Sequence, residues 1–282
     1  MITPQLQEEI EKAMGGSIVA IAPLSAANNA QIYRLLLEGG STRVAKVAER
    51  GMEIEAWMLR FLKESTSLPV PEVEFSNDHV IIMEFVESHD MIDYRGQRHA
   101  AEQLAALHFI TADQYGLERD TVIGSLRQPN KQSKNWIEFF AEQRLLYMVR
   151  AAFDENKIDK RMVQQAEKLA GKLPELLHEP AAPSLVHGDV WGGNIIIGRG
   201  KIEAFLDPAI YFADPEVELA FIRLFNTFDD SFFARYNDIS PIKPGFHEER
   251  ADIYNLYPLL VHTRLFGASY ARKAQKIFDK FV

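Results

Sequence analysis

Ile2, Leu6, Ile10 and Ala13 recur at helical spacing over residues 1–14, and Gly15-Gly16 follows as a stop signal. An amphipathic helix is therefore expected at the start of the chain. The texture then becomes strand-like: Ile18 to Leu24 and Ile32 to Leu37 read as strands on either side of a polar loop from Ser25 to Ala30. Glu38-Gly39-Gly40-Ser41 reads as a hairpin turn into a returning strand from Thr42 to Ala48. Met52 to Lys63 is helical by the spacing of Ile54, Trp57, Met58, Phe61 and Leu62, and Pro69 and Pro71 end that pattern. Strands around Val73 and from Val80 to Val86 complete a small sheet. Beyond Val86 long helical periodicities dominate, interrupted near Leu185 to Ile197 and Ile202 to Leu206 by short strand-like runs. The expectation is an α+β chain of two lobes, a strand-rich one over residues 1–86 and a helical one over residues 87–282, with no internal repeat.

Composition narrows the partners. A chain of 282 residues with 47% hydrophobic and 25% charged positions can bury a sizeable core, and no apolar stretch approaches the roughly 20 residues of a membrane-spanning helix. The first ten residues carry carboxylates and lack the basic and apolar regions of a signal peptide, so a cytoplasmic location is expected. Cysteine is absent, which excludes disulfides, a disulfide-linked dimer, thiolate metal sites and cysteine nucleophiles. The net charge is −9 and the basic residues are scattered, which argues against nucleic acid and for a small-molecule partner, more readily a cationic or neutral one.

The most informative stretch is Leu185-Val186-His187-Gly188-Asp189-Val190-Trp191-Gly192-Gly193-Asn194-Ile195-Ile196-Ile197. It sets an acid and an amide on one loop between apolar runs, and a second acid, Asp207, follows the next strand. An ATP-dependent phosphotransferase needs such a set. A carboxylate (Asp189) orients and deprotonates the attacking hydroxyl, while an amide and an acid (Asn194 and Asp207) hold magnesium against the phosphates. Lys46, in Val44-Ala45-Lys46-Val47, supplies a cation for the α- and β-phosphates, and the following helix should supply its carboxylate partner. Glu55 is favoured for that partner, with Glu53 as the alternative. At the end of Ile81-Ile82-Met83-Glu84-Phe85-Val86, backbone groups of Glu84 and Val86 are placed to hydrogen-bond adenine. His187 and His108 read as structural histidines. Walker, dinucleotide-binding, nucleophile-elbow and zinc-helix motifs are missing.

With Lys46, Asp189, Asn194 and Asp207 identified, the chain resembles the aminoglycoside phosphotransferase and choline kinase branch of kinase-like enzymes, and more closely the fructosamine (ketosamine) kinase family. The carrying residues run from Tyr115-Gly116-Leu117, Ile123-Gly124-Ser125, Gln128-Pro129-Asn130, Trp136 to Phe140 and Gln143-Arg144-Leu145 through His187 to Asn194 and Asp207-Pro208-Ala209-Ile210-Tyr211 to Leu256 to Leu260 and Leu265 to Tyr270. The resemblance implies a protein-kinase-like fold, ATP and Mg2+ as cofactors, and phosphorylation of the sugar part of a glycated amine, a deglycation activity. It further implies that Asn28 and Asn29 lie in the loop over the phosphates and that Trp191 and His262 help form the sugar pocket. The chain departs from the family pattern at Ser25-Ala26-Ala27-Asn28-Asn29, which lacks paired glycines and cysteine, and at Pro215 and Glu218. The alternatives at this level are a kinase for another hydroxylated amine, such as an aminoglycoside or choline, and a non-catalytic nucleotide-binding protein.

Overall fold

The computed structural model describes residues 2–27, 30–88 and 91–282, without the side chains of Ala26 and Ala27. It divides into two compact units, Met1–His99 with Asn194–Pro208 and Ala100–Gly193 with Ala209–Val282. The division falls beyond residue 86, the break taken from the change in sequence texture. It also returns residues 194–208 to the first unit, a long-range exchange that local periodicity does not encode.

The first unit is built on one antiparallel sheet. Helix α1 (Pro4–Met14) starts where Thr3 accepts the Leu6 N–H and ends at Gly15, whose φ of 66° needs no side chain. Strands β1 (Ile18–Ala27), β2 (Ala30–Leu37), β3 (Thr42–Ala48), β4 (Val73–Ser76) and β5 (Val80–Glu84) lie in the order β1-β2-β3-β5-β4. Ile10 of α1 is buried with Leu35, Ala45, Val47, Val80 and Ile82, so Ala45 and Val47 point to the α1 face of the sheet. Strand alternation then turns Lys46 to the opposite face, where α2 (Met52–Ser65) packs. The hairpin of β9 (Ile195–Gly198) and β10 (Lys201–Phe205) also belongs to this unit, tied to it by the Phe205 N–H, which donates to the Pro69 carbonyl at 2.8 Å. The polar loop expected at residues 25–30 is mostly strand. A register shift between Pro23 and Ser25 absorbs the proline, and pairing resumes as Ser25↔Ile32, Ala26↔Gln31 and Ala27↔Ala30.

The second unit is mainly helical. Helix α3 (Tyr94–His108) carries the boundary between the units, and the hairpin β6 (Thr121–Ile123) and β7 (Leu126–Gln128) follows. Then come α4 (Trp136–Phe139), a π-helical segment (Phe140–Leu146), α5 (Tyr147–Asp154) and α6 (Lys160–Leu176). A short strand β8 (Ser184–Val186) pairs with β11 (Tyr211–Ala213), and α7 (Glu216–Leu224), α8 (Asp230–Ile239), α9 (Ala251–Phe266) and α10 (Ala268–Phe281) complete the unit. Its core centres on Trp136, fully buried among the rings of Tyr115, Phe139, Phe140 and Tyr254. Burial of the indole leaves its N–H in need of a partner, which Tyr254 Oη supplies at 3.0 Å before donating in turn to Asp214 at 2.8 Å.

Candidate active site

In the first unit β3 presents Lys46, α2 presents Glu55, and the turn after β10 presents Asp207. Lys46 Nζ donates to Glu55 Oε1 and Oε2 at 2.7 and 2.8 Å and to Asp207 Oδ1 at 2.9 Å. Both Lys46 and Glu55 are buried, at 6% and 7% exposure, whereas Glu53 is exposed, so the ion pair forms with the favoured carboxylate. Burial pushes the Lys46 ammonium down, but the charges of Glu55 and Asp207 outweigh it and hold its pKa above the ordinary lysine value. Burial pushes the Glu55 carboxyl up to about 7; Lys46 opposes that rise and Asp207 adds to it. Two carboxylates thus share one ammonium, so Lys46 keeps its proton.

Asp207 adopts φ 52°, left-handed backbone that aspartate tolerates better than most residues. Asn194 stands at the same open end of the β9–β10 hairpin: Ile195 pairs with Phe205, and the Leu206 N–H donates to the Asn194 carbonyl at 2.8 Å. The hairpin therefore delivers an amide and a carboxylate from residues distant in sequence. Both are hard oxygen donors of the kind magnesium takes, and a site of this type draws its remaining ligands from phosphates and water. Among the described residues no trio of His, Cys, Asp or Glu forms a metal cage of its own.

In the second unit β8 leads into the turn His187-Gly188-Asp189. Gly188 has φ 86°, and a Cβ there would lie 2.2 Å from the Ala209 carbonyl oxygen, so only glycine allows this approach. The Ala209 N–H donates to the His187 carbonyl at 2.8 Å. Glu218 on α7 closes the arrangement from inside: its carboxylate accepts the N–H groups of His187 and Gly188 at 3.3 and 2.6 Å. His108 Nε2 lies 2.9 Å from the same carboxylate, and its Nδ1 lies 2.7 Å from Tyr236 Oη. Burial raises Glu218, but the His108 hydrogen bond and charge, the charge of His187 and the Gly188 N–H together hold it below the ordinary carboxylate value. Asp189 itself is half-buried, and its N–H faces His187 Nδ1 at 3.3 Å.

The remaining candidates are spread more widely. Glu84 is exposed at the end of β5 and donates its N–H to the Glu72 carbonyl at 2.9 Å, while Val86 is half-buried just beyond the strand. Asn28 and Asn29 lie outside the described residues. Trp191 is 44% exposed, with its ring lying over Gly193, where a Cβ would meet it at 2.3 Å. His262 sits on α9 with Nδ1 2.8 Å from the Pro258 carbonyl and its ring among Phe225, Phe266 and Tyr270; burial lowers its pKa. Histidines 108 and 187 are buried, as their structural assignment expects. Glu218 was legible only as a departure from the family pattern. The signal that would have found it is an acid between Val217 and the apolar run Leu219 to Ile222, a position where burial demands a satisfied carboxylate.

Against known proteins, the profile described as fructosamine kinase matches residues 4–282. The chain belongs to the fructosamine kinase family. It is accordingly a small-molecule kinase. It is 35% identical over 239 residues to a Vibrio parahaemolyticus protein named a probable ketoamine kinase, covering 82% of this chain and 80% of that one. Against the chloroplastic protein-ribulosamine 3-kinase of Arabidopsis thaliana it is 33% identical, covering 82% and 72%. A Thermobifida fusca protein solved as a candidate fructosamine-3-kinase superposes with a TM-score of 0.89 at 29% identity over 98% of both chains. An ADP-bound aminoglycoside phosphotransferase superposes with a TM-score of 0.67 at 17% identity, covering 98% of this chain and 96% of that one, which extends the shared kinase-like fold beyond the family. The α+β, kinase-like architecture expected from the sequence is the one found.

Proposed function

We propose that this fructosamine kinase family member transfers the γ-phosphoryl group of ATP to a sugar hydroxyl of a ketosamine, the adduct of a sugar and an amine. The observation that carries the nucleotide half of this reading is the buried Lys46 ammonium held by Glu55 and Asp207, a fixed cation of the kind that grips phosphates in this fold. Family membership and the ribulosamine kinase relative support the acceptor half.

In this reading Asp189 accepts the proton of the attacking hydroxyl. The oxygen then bonds to the γ-phosphorus as the bond from phosphorus to the β,γ-bridging oxygen breaks, and ADP leaves. Glu218 holds the turn before Asp189 in place, so the base is oriented before the acceptor arrives. Asn194 and Asp207 would hold magnesium, which would neutralise negative charge on the phosphates. In this reading backbone groups of Glu84 and Val86 hydrogen-bond adenine, and Asn28 and Asn29 contribute to nucleotide binding. Trp191 and His262 contribute aromatic surface to the sugar. A cytoplasmic site of action suits this chemistry, and no helix among the described residues is long and apolar enough to cross a membrane.

Asp189→Asn tests the assignment of the base. Phosphorus NMR of a reaction containing Mg·ATP and a fructose adduct of glycine should show product with the wild type. With the variant, product formation should fall by about a hundredfold or more, while calorimetry shows unchanged ATP affinity. Near wild-type product formation by Asp189→Asn removes Asp189 from the role of base.

A further inference from the structure

Arg144 is fully buried, yet each of its hydrogen-bond acceptors is neutral. Its guanidinium donates to the carbonyls of Pro129 and Gln143 at 2.6 and 3.0 Å and to Asn130 Oδ1 at 2.6 Å, and Nε has no acceptor. Three rings surround the cation instead: Tyr211 at 3.9 Å, Phe139 at 4.8 Å and Tyr257 at 5.3 Å from their centroids. Withdrawing a guanidinium from water with no carboxylate among the described residues to meet it is unfavourable, and aromatic faces recover only part of that cost. The residue also lies in the π-helical segment Phe140–Leu146, a second local departure from the most stable backbone. Two such departures at one position call for a compensating role.

The contacts show where that role acts. Tyr211, against which the cation packs most closely, pairs across the short β8–β11 ladder with Val186, the residue before His187. Asn130 and Pro129 end the segment whose Gln128 donates to the Ala209 carbonyl at 2.9 Å, and Tyr257 donates to Gln128 Oε1 at 2.8 Å. Ala209 in turn bonds His187 and meets Gly188 at the approach only glycine permits. Arg144 therefore joins the β6–β7 hairpin, β11 and α9 beneath the three residues, Ala209 to Tyr211, on which the His187-Gly188-Asp189 turn rests.

We propose that Arg144 is a positioning residue for phosphoryl transfer: its buried guanidinium locks the Ala209–Tyr211 segment, and through it the orientation of Asp189. The inference rests on Asp189 being the base. Arg144→Met removes the buried charge but leaves the Pro129 carbonyl and Asn130 Oδ1 without their donor, so it should cost some stability, and the purified folded protein should lose rate beyond what its folded fraction accounts for.

The test measures kcat, KM for ATP and thermal midpoint for Arg144→Met, Arg144→Lys, Tyr211→Leu and the Arg144→Met/Tyr211→Leu double variant, with Mg·ATP and a fructose adduct of glycine. The expected result is a fall in kcat of about a hundredfold for Arg144→Met, the scale of a small misplacement of a reacting group. KM for ATP should stay unchanged, Arg144→Lys should recover part of the rate, and the double variant should be no slower than the worse single one. Retention of kcat within threefold overturns the proposal, as does a rate loss that follows unfolding in every folded-fraction measurement, or strictly multiplicative losses in the double variant. If Arg144→Met does not fold, the Arg144→Lys and Tyr211→Leu variants decide by the same kcat and KM criteria. Asp189→Asn, run in parallel, separates the two ideas: full turnover there removes the base assignment whatever Arg144 does.

Discussion

At the scale of single residues, the site depends on charges that cannot be left alone. Lys46→Met would leave Glu55 buried beside Asp207 with no cation between them. Breaking a buried pair by removing one partner costs about 3–5 kcal/mol, and denaturant unfolding of the variant should show a loss of that order, together with weakened ATP binding by calorimetry. Unchanged stability and affinity would assign the phosphate grip to another cation. Gly188 makes a steric demand instead. Gly188→Ala places a methyl 2.2 Å from the Ala209 oxygen at φ 86°, so the turn must shift, and turnover should fall at least about tenfold. Assay of the purified, folded variant checks this, and full activity would show that the turn tolerates displacement. Glu218 acts at one further remove, since both N–H groups it accepts belong to the residues immediately before Asp189.

At the scale of elements, α4, the start of α7 and α9 are linked through one buried carboxyl. Asp214 accepts the Glu216 N–H at 2.9 Å and the Tyr254 hydroxyl at 2.8 Å. Burial, joined by the charge of Glu216, pushes its pKa up to about 7. An acid whose pKa is raised by folding binds its proton more tightly in the folded chain, so this contribution to stability is present below about pH 4 and is lost as pH rises through about 7. The thermal midpoint of the wild type should therefore decline across that window relative to Asp214→Asn, which retains the shape and cannot ionise. Parallel curves for the two proteins would show that Asp214 does not titrate there. The elements differ in how far the sequence revealed them. Helices α1 and α2 and strands β2, β3 and β5 are long enough for their periodicity to be read, and alternation along β3 alone placed Lys46 on the face opposite the core of Ala45 and Val47. The β6–β7 hairpin escaped notice because each strand has three residues, too few to establish a period. The extension of β1 through Ser25 to Ala27 escaped because small polar residues paired in register look like a loop. The π-helical segment at Phe140–Leu146 has an apolar pattern that a helix also fits, so nothing in it announced the buried Arg144.

At the scale of the whole molecule, the local motifs identified the chemistry, whereas the interactions that organise them are non-local. Lys46 and Asp207 are separated by 161 positions and are nevertheless in contact, and His108 reaches Glu218 across 110. No window along the chain contains such pairs, so the sequence offered candidates for the site and left Glu218 and Arg144 without roles. The family spans residues 4–282, and with it the fold and the kinase class are established; the acceptor is the part of the account that an assay decides. The most direct measurement is magnesium-dependent ADP release from ATP with fructosamine and ribulosamine adducts, aminoglycosides and choline, each run beside Asp189→Asn. Turnover stimulated by the ketosamines and lost in the variant is the expected result. Turnover with only an aminoglycoside or choline, or ketosamine turnover that Asp189→Asn retains in full, would contradict it.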